Sequence, residues 1–223
     1  MREFITGYDT KDYSFFTGAK EILNDKAINF LSASNVRYLL DYTNNSNIFV
    51  RKWTKANLIK EVYKDSDITI YEIIKYKPRF YFPDKVIKTT KNQLEIMRKK
   101  EFDPNKTIVI NSDKEKILDQ TMNCLRKTNI LEYTGDIIKM DIKNNCGESY
   151  LFIANTYFPG WVAYLNGKKI LIEKANFSFQ AIKIPQGEFS LKLVYFPQSF
   201  KYGLFLSFIS FFILILTVLL GKL

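Results

Sequence analysis

The chain has 223 residues, of which 47% are hydrophobic and 25% charged, a composition typical of one large or two small folded domains. Its formal net charge of +10 is spread through mixed-sign stretches without a recognisable nucleic-acid-binding module, so nucleic acid is not expected as a partner. Histidine is absent and the two cysteines form no CxxC pair, which argues against Ser-His-Asp, Cys-His and His-ligated zinc sites, so neither a metal nor a cofactor is expected.

The first 127 residues predict a small part of mixed α/β structure. Apolar residues recur at helical spacing in 17–33, which predicts an amphipathic helix. The segment 35–40 is expected to form a short buried strand, and 56–74 should form two strands joined by a turn at Asp65-Ser66-Asp67. The remaining expected elements are an extended piece at 78–83, a helix at 91–102, a turn and strand at 102–110, and a helix or loop at 111–127.

From residue 128 onward the apolar residues recur with a period of two, which is typical of half-buried strands. Asn166-Gly167 suits a type I′ hairpin turn, because both residues tolerate a positive φ, and Pro159-Gly160 marks a second turn. Many short strands separated by such turns predict an antiparallel β-sandwich of jelly-roll type. Strands are expected at 130–133, 136–144, 149–158, 161–165, 168–173, 177–185 and 188–196.

The segment from Leu204 to Leu220 is apolar except for two serines and one threonine. As a helix with a rise of ~1.5 Å per residue it would extend about 26 Å, close to the hydrocarbon thickness of a bilayer. Lys201 and Tyr202 at one end and Lys222 at the other are placed as interfacial anchors. This pattern predicts a single C-terminal transmembrane helix and hence a location in the cell membrane.

The predicted fold class is therefore α+β, mainly β, with a small α/β N-terminal part, a C-terminal antiparallel β-sandwich and one C-terminal transmembrane helix. The expected domains are a mixed α/β subdomain at 1–127, the sandwich at 128–200 and the membrane helix at 201–223.

The orientation of the folded part in the membrane stays open at this point. Residues 1–16 lack the apolar region of a signal peptide, so the chain could be tail-anchored with its folded part in the cytoplasm. Alternatively, it is the tail of a longer membrane protein whose upstream helices deliver this part outside the cytoplasm. Local charge does not decide between these, because long domains cross largely regardless of charge.

The polar residues do not predict catalysis. Cys124 and Cys146 could form one disulfide in an oxidising compartment, but spacing alone cannot show proximity, and two unrelated thiols are the favoured interpretation. Asp65 and Asp67 fit a turn, where aspartate is favoured for local backbone bonds. Asp136 and Asp141 are five positions apart, an odd spacing, so in a strand they would face opposite ways. No catalytic residue is expected.

Several segments resemble one family of bacterial multi-spanning membrane proteins, the YfhO family. NTYFPGW (155–161) and AYLNGK (163–168) resemble its tyrosine-proline-glycine-tryptophan turn and the hairpin that follows, and YFP (195–197) continues the pattern before the span. NVRYLL (35–40) and IYE (70–72) resemble earlier strands of the family. The family is similar to the GT-C class of glycosyltransferases, which use lipid-linked sugars. GT-C enzymes carry their acidic catalytic residue in an early extracytoplasmic loop, and no part of this sequence corresponds to that loop.

The resemblance implies an extracytoplasmic accessory domain of a GT-C-like glycosyltransferase that acts on cell-envelope polymers, without catalytic activity of its own. The alternative is a stand-alone, membrane-anchored binding or interaction module. The expected partners are the lipid bilayer, an upstream multi-spanning glycosyltransferase core, and a glycan or lipid-linked sugar.

The aromatic residues around the Pro159-Gly160 turn have three interpretations. The favoured one is packing, because large rings bury much apolar area at the end of the sandwich. The second is a platform for the face of a sugar, with asparagine amides bonding its hydroxyls. The third is contact with the membrane interface, where tyrosine and tryptophan are enriched. The candidate residues for sugar or partner binding are Tyr157, Trp161, Tyr164, Asn166 and Asn176.

Overall fold

The structure, a computed structural model, describes residues 27–43, 48–99, 101–120 and 124–220. Strands hold 45% of the chain and helices 23%, which confirms the α+β, mainly β fold class and its apolar C-terminal helix. In chain order the described elements are α1 (Ala27–Ala33), β1 (Tyr38–Tyr42), α2 (Ile48–Lys55), β2 (Ile59–Lys64), β3 (Ile68–Ile73), β4 (Phe80–Tyr81), β5 (Lys85–Thr89), α3 (Gln93–Arg98), β6 (Thr107–Asn111), β7 (Lys116–Asp119), β8 (Arg126–Tyr133), β9 (Ile137–Asn144), β10 (Ser149–Thr156), β11 (Trp161–Leu165), β12 (Lys168–Ile170), β13 (Glu173–Ala175), β14 (Phe179–Ile184), β15 (Gly187–Tyr195) and α4 (Gln198–Leu220).

The chain forms two compact units whose segments alternate along the sequence. The first unit combines the described residues up to Arg126 with residues 144–157 and 173–186. The second combines residues 127–143, 158–172 and 187–220. This differs from the three consecutive domains expected from the sequence, because the strands of 128–200 pair into two different sheets. Partner choice between strands far apart in sequence leaves no mark in the local hydrophobic period.

The first unit contains a three-stranded antiparallel sheet in the order β1-β3-β2. The helices α1 and α2 contribute to its core, in which Trp53 is only 2% exposed and packs with Ile28, Ile59 and Ile73. The Asp65 carboxylate accepts hydrogen bonds from the N–H groups of Asp67 and Ile68, both at 2.8 Å, and so closes the turn between β2 and β3. The two strands and the polar turn expected in 56–74 are confirmed.

The first unit also contains a seven-stranded mixed sheet in the order β4-β10-β14-β13-β6-β5-β7. The strands β5 and β6 are parallel and are joined through α3, which covers one face with Met97 packed on Val109. Helix α3 begins after Asn92, whose side chain accepts a hydrogen bond from the Leu94 N–H at 2.9 Å. The opposite face carries the main core, in which Phe152 is completely buried.

The second unit is a five-stranded sheet, in the order β12-β11-β15-β9-β8, followed by α4. The Asn166-Gly167 hairpin joins β11 to β12 with φ values of 48° and 78°, so the expected type I′ turn is confirmed. Alternate residues on one face of this sheet are buried, including Ala163, Leu191 and Leu193. The helix α4 has 23 residues, and the predicted apolar span lies within it.

Several local expectations differ from the structure. The strand expected to be buried at 35–40 is β1, which starts at Tyr38, and its Tyr38 and Leu40 side chains are about half exposed. The segment expected to be helix or loop at 111–127 contains β7 and the start of β8. The strand expected at 168–173 ends at Ile170, because the chain then enters another sheet as β13.

Two further elements, α2 and β5, lie in segments for which the sequence predicted no helix or strand. In α2, Val50 and Trp53 at i and i+3 are the buried face, a two-residue signal too short to stand out. Of the helix expected at 17–33, the described part Ala27–Ala33 is helical, and residues 17–26 lie outside the described residues.

Candidate functional site

The aromatic turn, defined here as residues 158–161, follows β10 in the chain, leads into β11 and belongs to the second unit. Its Trp161 ring lies against the Tyr195 ring, with centroids 5.3 Å apart and planes at 46°. Phe158 contacts the same tyrosine at 6.4 Å, and its own side chain is 57% exposed. Tyr195 is therefore the central packing partner of the turn, which the sequence interpretation did not single out.

Trp161 and Tyr164 lie on opposite faces of the five-stranded sheet. Trp161 is paired with Tyr195 and shares the face of Ala163 and Leu165, whereas Tyr164 is paired with Lys192 of β15 and Lys169 of β12. Directly paired residues of antiparallel strands project to the same side. The two rings cannot form one continuous platform, so any sugar contact involves one ring or the other.

Asn166 supports the hairpin at the far end of β11. Its backbone N–H donates to the Ser190 carbonyl at 2.8 Å, and its side-chain Oδ1 accepts from the Ser190 N–H at 2.7 Å. The left-handed backbone at Asn166, with φ 48°, suits asparagine or glycine and few other residues. This amide oxygen is thus engaged in holding the turn.

Tyr157 and Asn176 belong to the first unit, whereas the other three candidates belong to the second. Asn176 is buried, and its Oδ1 accepts a hydrogen bond from the Val109 N–H at 2.8 Å while its own N–H donates to the Val109 carbonyl at 2.9 Å. Tyr157 is 41% exposed, and its backbone N–H donates to the Ser178 carbonyl at 2.7 Å. Asn176 is therefore held inside the fold, whereas the Tyr157 ring reaches solvent.

The aromatic turn is joined to the start of α4 by close backbone contacts. The Phe196 N–H donates to the Gly160 carbonyl at 2.9 Å. Gly160 has φ 117°, and a Cβ placed on it would lie 2.9 Å from the Pro197 Cα. Only glycine fits such an approach without movement of the chain. The only sequence feature that pointed to this close approach was a pair of prolines, Pro159 in the turn and Pro197 between β15 and α4.

The helix α4 carries the one stretch among the described residues that is long and apolar enough to cross a membrane, Gln198–Val218. None of this stretch is buried against the rest of the protein. Aliphatic and aromatic side chains face outward all round it, as expected of a helix in lipid. Gly203 and Leu206 accept hydrogen bonds from Ser207 and Ser210, so these two hydroxyls are satisfied within the helix.

Cys124 and Cys146 form a disulfide in the first unit, with Cα atoms 5.5 Å apart. The favoured interpretation of two unrelated thiols was therefore wrong. The two residues meet because the Asn145 N–H donates to the Leu125 carbonyl at 2.9 Å, bringing the segment before β8 beside the segment after β9. Cys146 is 6% exposed, so the bond is largely shielded.

A cluster of ionisable groups lies on the core face of the seven-stranded sheet. Lys88 Nζ donates to the Tyr150 hydroxyl at 2.9 Å, which in turn donates to a Glu173 carboxylate oxygen at 2.9 Å. Lys88 and Glu173 are also directly paired at 3.1 Å. Burial raises the pKa of Tyr150. Burial would lower the pKa of Lys88, but its bonds to Tyr150 and Glu173 raise it overall, so the lysine stays charged and the phenol neutral near neutral pH.

A cavity of about 280 Å³ lies on the first unit beside β5, α3 and β7, with a basic lining. Two of its lysines are already paired with carboxylates, Lys88 with Glu173 and Lys91 with Glu115. Of these two pairs, only Lys88–Glu173 is largely buried. Among the residues that the structure describes, no group of three or more His, Cys, Asp or Glu side chains could hold a metal ion.

Together, the strand-built units and the lipid-compatible helix that follows them define a membrane protein with a folded part outside the hydrocarbon layer. The family whose model is described as "Bacterial membrane protein YfhO" matches residues 34–207, and the chain belongs to this family. The expected family resemblance is thereby confirmed.

One curated relative, the uncharacterized protein YfhO of Bacillus subtilis (strain 168), is 33% identical over 63 residues. This match covers 28% of the present chain and 7% of the relative, so the chain matches only a small part of that protein's length. No solved structure matches the chain.

Proposed function

We propose that this chain is the membrane-anchored, extracytoplasmic accessory domain of a GT-C-like glycosyltransferase that acts on cell-envelope polymers. Membership in the YfhO family supports the link to a membrane protein of glycosyltransferase type. Its role is to hold or present a glycan or lipid-linked sugar beside an upstream multi-spanning core that performs the transfer. The chain performs no transfer alone.

The disulfide between Cys124 and Cys146 is the observation that carries the extracytoplasmic placement. Disulfides form and persist in oxidising environments and are rare in the cytoplasm, where thiols are kept reduced. The bond therefore favours an outward-facing folded part over the tail-anchored cytoplasmic alternative.

The location is tested with an exposed reporter on the full chain in its host cell. Lys168 lies on the exposed hairpin tip, and Lys168→Cys provides a thiol for a membrane-impermeant maleimide. The expected result is labelling in intact cells, with Cys124 and Cys146 unreactive until the protein is unfolded and reduced. Labelling of position 168 only after lysis, together with two free native thiols, would overturn the placement.

Sugar contact is assigned to the aromatic residues Trp161 and Tyr164, which lie on different faces of one sheet. Trp161→Ala and Tyr164→Ala are compared for binding of the host's own envelope glycans, with the melting temperature measured in parallel. The proposal expects one of the two variants to lose glycan binding several-fold while its melting temperature stays near that of the parent. Loss of stability without a change in binding assigns the ring to packing.

The role in glycosyl transfer is tested in the host by deleting the gene and comparing the sugar composition of envelope polymers. A defect that is restored by the wild-type gene supports the proposal. An unchanged composition, with glycan or protein binding retained by the purified chain, would instead favour the stand-alone binding module.

A further inference from the structure

The end of the second unit that carries the aromatic turn is also the end from which the membrane helix starts. Trp161 is paired with Tyr195, three residues before Gln198 begins α4. The Phe196 N–H donates to the Gly160 carbonyl at 2.9 Å, and Gly160 packs directly on Pro197. These contacts place the turn at the level of the helix start.

That level corresponds to the headgroup layer of a bilayer. The uninterrupted apolar run of α4 begins at Leu204, and the exposed anchors Lys201 and Tyr202 lie just before it. The whole stretch of α4 that is long and apolar enough to cross a bilayer, Gln198–Val218, begins directly after Pro197. The headgroup layer adds roughly 5–7 Å to the hydrocarbon on each side. Gly160, in contact with Pro197, therefore lies within this layer when α4 spans the bilayer.

The residues at this level expose aromatic surface. Phe158, Phe196 and Phe200 are 57%, 43% and 55% exposed, respectively. The Phe196 and Phe200 rings contact each other edge to face at 5.6 Å, and Lys201 Nζ lies 5.2 Å from the Phe196 ring centre. Water is an unfavourable environment for exposed aromatic rings, whereas the interfacial layer of a membrane accepts them.

We propose that the aromatic turn is a second membrane contact, in which Phe158 inserts into the headgroup-level layer of the same bilayer that α4 spans. The contact is continuous with the membrane surface of α4 through Phe196 and Phe200. It fixes the tilt of the five-stranded sheet relative to the bilayer, because anchoring by a single helix would leave this tilt unconstrained. Neither the side of the membrane nor a glycosyltransferase role is required, so this inference stands independently of the proposed function.

The test measures the depth of a single tryptophan in the full chain reconstituted into phosphatidylcholine–phosphatidylglycerol vesicles. The chain has two tryptophans, Trp53 and Trp161, and both are replaced by phenylalanine. A new tryptophan is then introduced by Phe158→Trp or, as the matched control, by Lys168→Trp on the hairpin tip. The strand β11 extends about 13 Å, and Lys168 lies at the end of this strand opposite the aromatic turn.

Nitroxide-labelled lipids report the outcome, with the label at the headgroup, at a shallow acyl position or near the bilayer centre. The expected result is several-fold stronger quenching at position 158 than at position 168 by the headgroup and shallow labels, with little quenching by the central label. Equal quenching at the two positions would overturn the proposal.

A second quenching measurement uses a chain with no substitution in the second unit. In the Trp53→Phe chain, Trp161 is the remaining tryptophan and keeps its native contacts with Tyr195. We expect its emission to be quenched by the headgroup label and by no central label. Absence of headgroup quenching in this chain contradicts the proposal even if Phe158→Trp fails to fold.

Discussion

Removal of the disulfide should destabilise the first unit by a predictable amount. Cys124 and Cys146 are separated by 22 positions, and both belong to this unit. Closing a loop of that length lowers the entropy of the unfolded chain by about 11 cal/mol/K, which corresponds to about 3 kcal/mol at 25 °C. The double variant Cys124→Ala/Cys146→Ala should lose about this free energy of unfolding without losing its fold.

The assay is urea unfolding of the full chain in detergent micelles, followed by tryptophan fluorescence. Trp161→Phe removes the tryptophan of the second unit, so Trp53, which is 2% exposed, reports on the first unit alone. With a slope of about 2 kcal/mol per molar urea, the midpoint should fall by about 1.5 M. Replacing both cysteines together avoids a half-pair with a reactive thiol.

A reductant supplies the control for this prediction. It should lower the midpoint of the parent to that of the double variant and leave the variant unchanged. Equal midpoints for the parent and the variant, with no effect of reductant on either, would refute the role assigned to the disulfide.

Three further predictions concern single side chains. Gly160→Ala should lower the stability of the second unit by about 1–3 kcal/mol in thermal unfolding, because its backbone is left-handed and the added Cβ meets Pro197, just before α4. The control Gly135→Ala has open space around it and should be close to neutral. Equal effects of the two substitutions would contradict the close approach at Gly160. Phe152→Ala should cost about 3–5 kcal/mol in urea unfolding, because it empties the centre of the main core, whereas Ile117→Ala at an exposed site should change stability little. The hydrogen bonds from Lys60 and Arg37 lower the pKa of Glu72. This carboxylate therefore stabilises the fold fully above the unfolded-state pKa of about 4.3, and its contribution disappears as the pH falls through the lower folded-state pKa. Glu72→Gln should flatten the acid limb of the stability–pH curve, and an unchanged curve would argue against the pairing.

The features that were predictable from the sequence are those set by neighbours along the chain. The Asn166-Gly167 turn follows from backbone tolerance at two adjacent residues, and the membrane helix follows from one uninterrupted apolar run. The turn at Asp65 follows from the preference of aspartate for local backbone bonds. Each of these signals lies within one continuous stretch of sequence, so no knowledge of the tertiary fold was needed.

The features that were missed depend on contacts between distant residues. Pairing of β13 with β6 and of β10 with β4 joins segments more than 60 residues apart, and periodicity cannot select such partners. Proximity of the two cysteines has the same origin. Strand geometry could have shown one feature in advance: Trp161 and Tyr164 are three residues apart in a strand, so they face opposite sides. The binding role of the five candidate residues stays a prediction.

The interleaving of the two units has a consequence for synthesis of the protein. The seven-stranded sheet lacks a central strand until Phe179–Ile184 has emerged, since β14 connects β10 to β13. A nascent chain therefore exposes the free edge of β6 until β13 has emerged and that of β10 until β14 has emerged, a state prone to aggregation. Completion of that sheet comes only about fourteen residues before α4 begins, so the sheet closes and the membrane helix emerges in close succession.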